Sequence, residues 1–545
     1  MVPTDIQRAI IEHDGNTVVL ASPGSGKTFV LSEMIKRAIK KDDMMLYQGV
    51  IAISYTRKAS ANLKNRTLGD GAAQKNSFFG TIDNFCLTQI ILPFGNYVFG
   101  HPSKELEIIR GGDLPKEDRQ KYDWIDSEHP DYESIEEYQF FNLSGLFSAG
   151  FILVESLELL ALHIIRNCKA CKHFLKARFK YIFIDEYQDA DTYTNSIFLD
   201  LVGMGIIGVA VGDENQSIFG FAHKDSQYIR ALKSNPDFDE FSLNENFRCA
   251  IPIINYSNRL LDANSKILDT KDDAVFLIRV DGSEESIAGF IDNNIAKIRK
   301  CWSVSDNSKI AILVKNSRTQ DILNTCLETP HRLVETTVLD MDLNPRSRLF
   351  ALLLHYYFDD TMPFLSILDE FVDYEMMSQH ERRRLYDESV IIRNCVDDYE
   401  FISKHFNQVA DILLPKIGVG ASLSKLEIVM SDDRALCSYK PVNSNELQLM
   451  TLHKSKGLEF DIVFHLNVCE WELPTKIPKD GDFNNLIYSN WEQDVDLHYV
   501  GITRAKKACI MVRGSKRTKS NGDLRRAEDS EFLNMNGLSS LRREN

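Results

Sequence analysis

A short loop near the N-terminus carries the residue types that hold a phosphate chain. Residues 17–31 read TVVLASPGSGKTFVL, so a β-branched run precedes the loop and a helical pattern follows it. Gly24 and Gly26 let backbone N–H groups approach phosphate oxygens. Lys27 supplies a cation for the terminal phosphates, and the Thr28 hydroxyl is a ligand for Mg²⁺. This context favours a nucleotide site over a chance glycine-rich turn.

Two adjacent carboxylates stand after the hydrophobic run Tyr181–Ile184. At the end of a strand, Asp185 would hold Mg²⁺ through water, and Glu186 would polarise the attacking water as general base. An Asp-Glu pair alone is weak support for catalysis. Together with the phosphate loop, it predicts a nucleoside triphosphatase.

Length and composition place these residues in a multidomain protein. At 545 residues the chain is too long for one compact core, and roughly three or four domains are expected. The net charge of −16 argues against binding nucleic acid over the whole surface. It still allows an interior positive groove that holds a single strand. Without the phosphate loop and the carboxylate pair, an acidic metabolic enzyme would be the better interpretation.

The N-terminal sequence and the hydropathy pattern favour a cytoplasmic protein. Met1–Gln7 lacks a basic-then-apolar pattern, and the longest apolar stretch, Gly145–Ile165, is interrupted by glutamates and predicts one amphipathic helix. Ten scattered cysteines suit a reducing compartment. Cys168 and Cys171 have the spacing of zinc ligands. Since a zinc site needs four convergent ligands, buried packing is the favoured interpretation.

Short β-branched runs alternate with helical segments, which predicts parallel sheets in an α/β fold. The strand candidates are Thr17–Ala21, Gly49–Ser54, Tyr181–Ile184, Gly208–Val211, Lys309–Val314 and Ile462–Leu466. Residues 102–177 and 345–445 are richer in charge and helical periodicity, and each range is interpreted as a helical insertion. Residues 514–545 are polar and charged. We expect a mobile tail there, apart from a short helix near Ser530–Leu533.

The order of the remaining motifs resembles that of the UvrD/Rep/PcrA-type helicases, the 3′-to-5′ branch of superfamily 1. The loop opens with Ala21, as it typically does in that family, and Gln7 matches the upstream glutamine that reads adenine. The further matches, with the family pattern in parentheses, are ISYTRKASA at 53–61 (TFTNKAA), GTIDNF at 80–85 (GTFHSF), DEYQD at 185–189 (DEFQD), VGDENQSIFGF at 211–221 (GDxxQSIYxWRGA), LNENFR at 243–248 (LxxNYRS), LMTLHKSKGLEF at 449–460 (LMTLHxAKGLEF) and YVGITRA at 499–505 (YVGITRA). The resemblance covers nearly the whole chain.

The resemblance implies two RecA-like parallel-sheet motor domains, each with a helical insertion. The expected boundaries are 1–95 and 178–255 for motor domain 1A, 96–177 for its insertion 1B, 256–344 and 446–513 for motor domain 2A, 345–445 for its insertion 2B, and 514–545 for a polar C-terminal tail. The second insertion is short for a housekeeping repair helicase of this group.

The resemblance also implies ATP and Mg²⁺ as cofactors. The expected nucleotide-binding residues are Gln7, Ser22, Pro23, Gly24, Ser25, Gly26, Lys27, Thr28, Phe247, Arg248, Glu459 and Arg504, and the expected Mg²⁺ ligands are Thr28 and Asp185. The expected catalytic residues are Lys27, Glu186, Gln216, Arg248 and Arg504. Both arginines would reach the γ-phosphate when the second domain closes. Gln216 would sense hydrolysis, Phe247 would stack on adenine, and Glu459 would bind the ribose.

The same family implies single-stranded DNA as the track. Single strands are held by aromatic platforms and backbone contacts, because every base offers a π-face. By motif position, the stacking candidates are Tyr55, Phe85 and Phe221. The candidates for phosphate contacts, or for coupling the strand to the ATP site, are Thr81, Asn84, Thr451 and His453.

Several positions depart from the family pattern. Phe29 stands where many relatives have arginine or threonine, and Asp83 replaces a histidine. Phe221 replaces a tryptophan, Ala222 replaces the arginine after it, and Asp496 lies where an arginine is common. These changes weaken positive contacts around the strand. They favour modest processivity or dependence on a partner protein.

The short second insertion makes the chain similar to the small helicase subunits that accompany an OLD/TOPRIM-type nuclease in Gabija anti-phage defence systems. No nuclease domain fits after Thr503, so any cutting is expected from a separate chain. Three hypotheses remain open. The protein is a DNA helicase acting alone in repair, an ATPase subunit that controls a partner nuclease, or a DNA-binding switch that hydrolyses ATP without unwinding.

Overall fold

The computed structural model describes residues 2–41, 44–69, 75–127, 129–216, 226–368, 370–372, 374, 377–396, 398–415, 417–479, 482–519 and 521–545. The strands are β1 Thr17–Ala21, β2 Gly49–Ile53, β3 Phe78–Gly80, β4 Glu107–Ile109, β5 Phe151–Leu153, β6 Phe179–Ile184, β7 Ile207–Gly212, β8 Asp239–Leu243, β9 Val275–Val280, β10 Ile310–Val314, β11 His331–Leu333, β12 Leu447–Thr451, β13 Phe460–His465, β14 Lys476–Lys479, β15 Asp482–Tyr488, β16 Ala505–Gly514, β17 Lys516–Thr518, β18 Leu524–Arg526 and β19 Arg543–Glu544. The α-helices are α1 Asp5–Glu12, α2 Lys27–Lys40, α3 Arg57–Leu68, α4 Ile82–Phe85, α5 Leu92–Phe99, α6 Lys116–Arg119, α7 Trp124–Ser127, α8 Glu137–Ser148, α9 Leu157–Asn167, α10 Lys169–Arg178, α11 Thr192–Gly203, α12 Gln227–Lys233, α13 Ile251–Leu261, α14 Glu284–Cys301, α15 Ser317–Cys326, α16 Pro345–Phe358, α17 Phe364–Leu368, α18 Gln379–Asn394, α19 Tyr399–Leu413, α20 Ser422–Met430, α21 Asp433–Cys437 and α22 Trp491–Thr503.

The first lobe is built on a parallel sheet with the strand order β3-β2-β6-β7-β1-β8. Every residue of β2 is buried, as expected for a parallel strand covered on both faces. β1, β7 and β6 are parallel neighbours, so the loop after β1 and the acids after β6 lie at the carboxyl end of the same sheet. The candidate site of the first lobe lies at this end.

The chain from α5 to α10 forms a mainly helical region between β3 and β6, with a small parallel sheet of β4 and β5. The prediction of one helix over Gly145–Ile165 is wrong. Gly150 has a φ of +86°, which ends the helical path, and the apolar β5 then pairs with β4. Cys168 and Cys171 are buried in the apolar core of this region, in agreement with the packing interpretation.

The second lobe contains a parallel sheet with the strand order β11-β12-β10-β13-β16-β9-β19. Its interior strand β10 is buried throughout. Helices α16–α21 lie between β11 and β12 along the chain and enclose a separate core around Leu349, Phe350 and Phe406. The two parallel sheets, each interrupted by a helical region, confirm the predicted α/β fold. Within the described residues, no helix combines the length and the apolar character needed to cross a bilayer.

The last residues of the chain pack onto the second lobe, so the prediction of a mobile tail at 514–545 is wrong for its described part. β17 and β18 form a hairpin, and β19 extends the sheet beside β9. A helical turn region at Glu531–Leu541 buries Phe532, Leu533 and Leu538 completely. Three apolar side chains within seven positions provide enough buried surface to order a segment whose overall composition is polar.

Candidate nucleotide-binding and strand-binding site

The phosphate loop between β1 and α2 depends on two glycines, which follow the buried Pro23. Gly24 and Gly26 have φ values of +72° and +86°, in the region that other L-residues rarely adopt. A Cβ on Gly24 would lie 2.4 Å from Asn246 Oδ1, and a Cβ on Gly26 would lie 2.9 Å from Gln7 Nε2. Both the backbone conformation and the close packing therefore require glycine here.

The loop leaves polar groups available for an anion. Gly26 begins the 14-residue helix α2 without a side-chain cap, so the first N–H groups of the helix need another partner. Ser25 is buried, and its Oγ has no hydrogen-bond partner among the described residues. Gln7 Nε2 donates to the Ser25 carbonyl (3.0 Å), and the Ser22 N–H donates to the last carbonyl of β8 (3.0 Å). The loop is thus held in shape and fits a phosphate chain.

Lys27 and Glu186 meet at the centre of the site, with 3.3 Å between Nζ and Oε1. Burial disfavours the ammonium, but the neighbouring carboxylates, Glu186 first among them, hold the pKa of Lys27 above its usual range. Burial also opposes ionisation of Glu186, but Lys27 and Lys456 outweigh it and hold the pKa of Glu186 low. Glu186 is therefore ionised at neutral pH and able to accept a proton.

Asp185 and Thr28 are the residues that could hold Mg²⁺. Asp185 follows β6, is buried, and accepts a hydrogen bond from the Glu186 N–H at 3.0 Å. Burial, and then the charge of Glu186, raises the pKa of Asp185, and a bound cation would favour its ionised form. Thr28 is half-buried in the first turn of α2. One carboxylate, one hydroxyl and phosphate oxygens, completed by water, form a ligand set that suits Mg²⁺.

Gln216 links Asp213 of the first lobe to Arg504 of the second lobe. Its Nε2 donates to Asp213 Oδ2 at 2.8 Å, and its Oε1 accepts from Arg504 Nη2 at 3.3 Å. Gln188 donates to Glu186 Oε2 at 2.5 Å and accepts from the Asp213 N–H at 2.9 Å. Hydrogen bonds through Gln188, Asp213 and Gln216 therefore connect Glu186 to Arg504.

The two predicted arginines approach the site from different elements. Arg504 directly follows α22 and is buried. Burial, and then the charge of Arg248, lowers the pKa of Arg504 to about 10, so it stays charged at neutral pH. Arg248 lies between β8 and α13, and its Nε pairs with Glu459 Oε2 at 2.9 Å. The adjacent Phe247, 59% exposed, donates its N–H to the Gly24 carbonyl (2.9 Å). The segment of Arg248 is therefore bonded to the phosphate loop, whereas Arg504 approaches from the second lobe.

The candidates for strand contact in the first lobe lie beside Asp185 and Glu186. Tyr55 follows β2 and is half-buried, and Thr81 caps α4, where its Oγ1 accepts from the Asn84 N–H at 3.4 Å. Tyr55 and Thr81 line a cavity of about 300 Å³ whose wall also includes Asp185 and Glu186. The cavity therefore joins the predicted strand face to the ATP chemistry.

The candidates for strand contact in the second lobe lie at the end of β12 and in the turn after it. Thr451 is the last residue of β12, and His453 begins the next turn; both are half-buried. Burial, and then the nearby Lys315, lowers the pKa of His453, so its imidazole is neutral at pH 7. The same segment continues to Lys456, whose Nζ lies 2.5 Å from Asp189 Oδ2 in the first lobe.

Phe85 is not a stacking platform, and that prediction is wrong. The side chain is 0% exposed and packs edge-on against Phe78 and Phe179, with ring centroids 5.3 and 6.2 Å away. The short helix α4 turns this aromatic inward, which motif position alone cannot reveal. Phe221 and Ala222 lie outside the described residues.

Sequence reasoning missed two residues of the site, Gln188 and Lys456. Gln188 hydrogen-bonds Glu186, and Lys456 reaches the first lobe from the second. Both lie inside segments that match the family pattern, at 185–189 and 449–460. The motif matches therefore pointed to both residues. The sequence does not show what a glutamine or lysine contacts, so no role could be assigned to either side chain.

Comparisons with known proteins agree with this geometry. The family model of an AAA domain matches residues 7–222, and that of the UvrD-like helicase C-terminal domain matches residues 383–516. The chain is 25% identical to the Gabija protein GajB of Bacillus cereus over 93% of this chain and 95% of that protein. It is 24% identical to the ATP-dependent DNA helicase Rep of Buchnera aphidicola over 69% of each chain. It is 21% identical to the ATP-dependent DNA helicase PcrA of Staphylococcus aureus over 94% of this chain and 83% of PcrA.

The two family models cover the two halves of the site. The first includes the phosphate loop and the acids after β6, and the second includes the segment 449–460 and Arg504. With both halves brought together in one cleft, the chain is similar to the UvrD-like helicases in each part of the site.

Proposed function

We propose that the protein is an ATP-driven motor that moves 3′ to 5′ along single-stranded DNA. The observation that carries this proposal is the divided site: Lys27 meets Glu186 in the first lobe, and Arg504 of the second lobe reaches Gln216 at 3.3 Å. In a site divided in this way, the state of the nucleotide and the separation of the lobes depend on each other. The motif order of the 3′-to-5′ branch supports the direction.

In this proposal, hydrolysis uses groups that are already in place. Glu186 accepts the proton of the water that attacks the γ-phosphate. Lys27 and Arg504 neutralise the charge on the phosphate oxygens as the bond to the β-phosphate breaks. Asp185 and Thr28 would hold Mg²⁺, which would supply further positive charge near the phosphate oxygens. After cleavage Arg504 has a weaker partner, and the lobes can part.

Movement follows from the placement of strand candidates on both lobes. Tyr55 and Thr81 belong to the first lobe, and Thr451 and His453 belong to the second. If each lobe holds a different stretch of the strand, one cycle of closing and opening transfers the strand from one set of contacts to the other. Support comes from the cavity that joins Tyr55 to the hydrolytic acids.

The test combines ATP turnover with strand displacement. We expect single-stranded DNA to stimulate ATP hydrolysis in the presence of Mg²⁺, and displacement to occur on a duplex with a 3′ tail but not with a 5′ tail. Absence of hydrolysis with Mg²⁺ and DNA present would overturn the proposal. Displacement from a 5′ tail alone would overturn the direction.

We further propose that the motor is the ATPase subunit of an anti-phage defence complex with a separate nuclease of the OLD/TOPRIM type. The similarity to the Gabija protein GajB, over 93% of this chain and 95% of that protein, supports this assignment. Co-purification with the product of the neighbouring gene tests it. We expect a stable complex that contains a nuclease, and a chain that purifies alone would contradict the proposal.

A second candidate function is a DNA-stimulated, nucleotide-sensing ATPase that regulates the partner without processive unwinding. Asp496 favours it. This side chain lies on α22, where the family pattern has arginine, and burial together with the nearby Asp213 raises the pKa of Asp496 to about 8. An acid in place of a cation weakens the grip between the lobes or on the strand. DNA-stimulated hydrolysis without displacement from either tail would identify this function.

A further inference from the structure

Lys456 is a side chain of the second lobe that contacts several parts of the first. Its Nζ lies 2.5 Å from Asp189 Oδ2 and 2.7 Å from the carbonyl oxygen of Gln216. The same atom lies 4.0 Å from Glu186 Oε2 and 5.9 Å from the centre of the Tyr55 ring. The side chain of Lys456 is 6% exposed and that of Asp189 is 0% exposed, so this ion pair is shielded from water.

These contacts join the ATP chemistry to the strand face. Asp189 ends the turn Tyr187–Asp189 and donates its backbone N–H to the carbonyl of Glu186 at 3.0 Å. The ring of Tyr55, the stacking candidate, lies near the same ammonium. Charge interactions are strong in such a water-poor region, so a small displacement of the ammonium changes the position of the Glu186 turn.

We propose that Lys456 is the positioning residue that makes ATP hydrolysis depend on the bound strand, an inference that rests on the function proposed above. A base stacked on Tyr55 fixes the ring that borders the Lys456 ammonium. The ammonium then holds Asp189, and with it the turn that carries Glu186, in the arrangement for hydrolysis. When the lobes part, Lys456 moves with its own lobe, and Asp189 and the Gln216 carbonyl lose their common partner; a base on Tyr55 opposes this separation.

Removal of the Lys456 charge tests the coupling. Lys456→Met keeps most of the stem, and we expect the ratio of DNA-stimulated to basal ATP turnover to fall by about tenfold or more. Because the variant leaves Asp189 buried without its cation, it is at risk of misfolding. A second variant, Asp189→Asn with Lys456→Met, removes both charges and should show the same loss of stimulation with a native-like melting temperature. Lys456→Arg keeps a cation and should recover part of the stimulation.

Lys454→Met is the matched control. Lys454 lies in the same turn, but its Nζ donates to the Val334 carbonyl of its own lobe at 3.1 Å. We expect its stimulation ratio to equal that of the unmodified protein.

Three results are decisive. Normal stimulation in the folded double variant would overturn the inference, and so would an equal loss of basal and stimulated turnover, since that pattern marks a purely structural role. If the unmodified protein does not hydrolyse ATP at all, the proposed function fails instead, so the two failures are distinguishable.

Discussion

The two lobes contribute to the site in different ways. In the first lobe, Lys27, Glu186 and Gln188 are held by contacts with one another. In the second lobe, the side chains that enter the site, Arg504 and Lys456, find their acidic or amide partners across the cleft. In the proposed function, the hydrolytic groups are therefore assembled in the first lobe, and closure of the second lobe sets the condition for their use.

This difference predicts different consequences of substitution. A change in the first lobe disturbs a buried network whose members depend on one another. A change in the second lobe leaves that network in place and removes the signal that the cleft is closed. Three substitutions in the site test the comparison, and a fourth tests the packing of the second lobe. Their expected effects decrease in the order Arg504, Glu186, Leu538 and Phe247.

Arg504→Ala should reduce ATP turnover by about a thousandfold, because a positive charge supplied to the γ-phosphate contributes most in the transition state. ATP binding should be retained, since the phosphate loop belongs to the first lobe. Single-turnover hydrolysis and equilibrium nucleotide binding measure the two quantities separately. Loss of binding with normal turnover per bound ATP would contradict a transition-state role. Arg434→Ala, which removes a half-exposed guanidinium, is the control and should leave turnover unchanged.

Glu186→Gln should lower turnover by about a hundredfold or more, as expected when a general base is lost. The amide can still hydrogen-bond Gln188, so the loop and ATP affinity should be preserved. The same two measurements apply. Normal turnover in this variant would show that another group accepts the proton, and the first lobe would then lack its central function.

Leu538→Ala should destabilise the protein by about 2 kcal/mol or more, because a fully buried leucine loses its packing. Denaturant unfolding followed by tryptophan fluorescence measures the change. Leu524→Ala, at a position 55% exposed on β18, is the control and should have little effect. Equal stability of the two variants would contradict the packing of the last residues onto the second lobe.

Phe247→Ala should weaken ATP binding by up to about tenfold, the contribution of one aromatic stacking contact. Turnover at saturating ATP should change little, since the side chain is expected to contact the adenine and not the γ-phosphate. Tyr97→Ala removes another exposed aromatic of the first lobe and should leave ATP affinity unchanged. A large loss of turnover with unchanged affinity would assign Phe247 a different role.

The sequence was most informative where one local rule decides the structure. β1 has the predicted bounds, Thr17–Ala21, because a buried parallel strand is a continuous β-branched run. Gly24 and Gly26 were identified because only glycine allows this loop. The prediction for Phe85 was wrong because its burial depends on the direction in which a short helix turns. The prediction for the segment after Gly150 was wrong because that segment pairs with a strand far away in the sequence.

The contact between Lys456 and Asp189 could not be predicted from the sequence, for a different reason. Lys456 and its partner Asp189 are 267 residues apart along the chain. Each stands in a motif, but only the folded chain brings the ammonium to the carboxylate. The fold class and the residues of the phosphate loop follow from local pattern, whereas the contacts across the cleft follow from tertiary packing.

The backbone at Glu186 has a consequence for attempts to make this protein sturdier. Its φ of +56° is a conformation that glycine tolerates well and glutamate does not, and such a residue typically holds about 1–3 kcal/mol of local strain. Glycine at position 186 would release this strain, but it would also leave the buried Lys27 ammonium without its carboxylate partner, which costs more. The ion pair therefore outweighs the strain, and substitutions that raise heat resistance should be sought elsewhere in the chain.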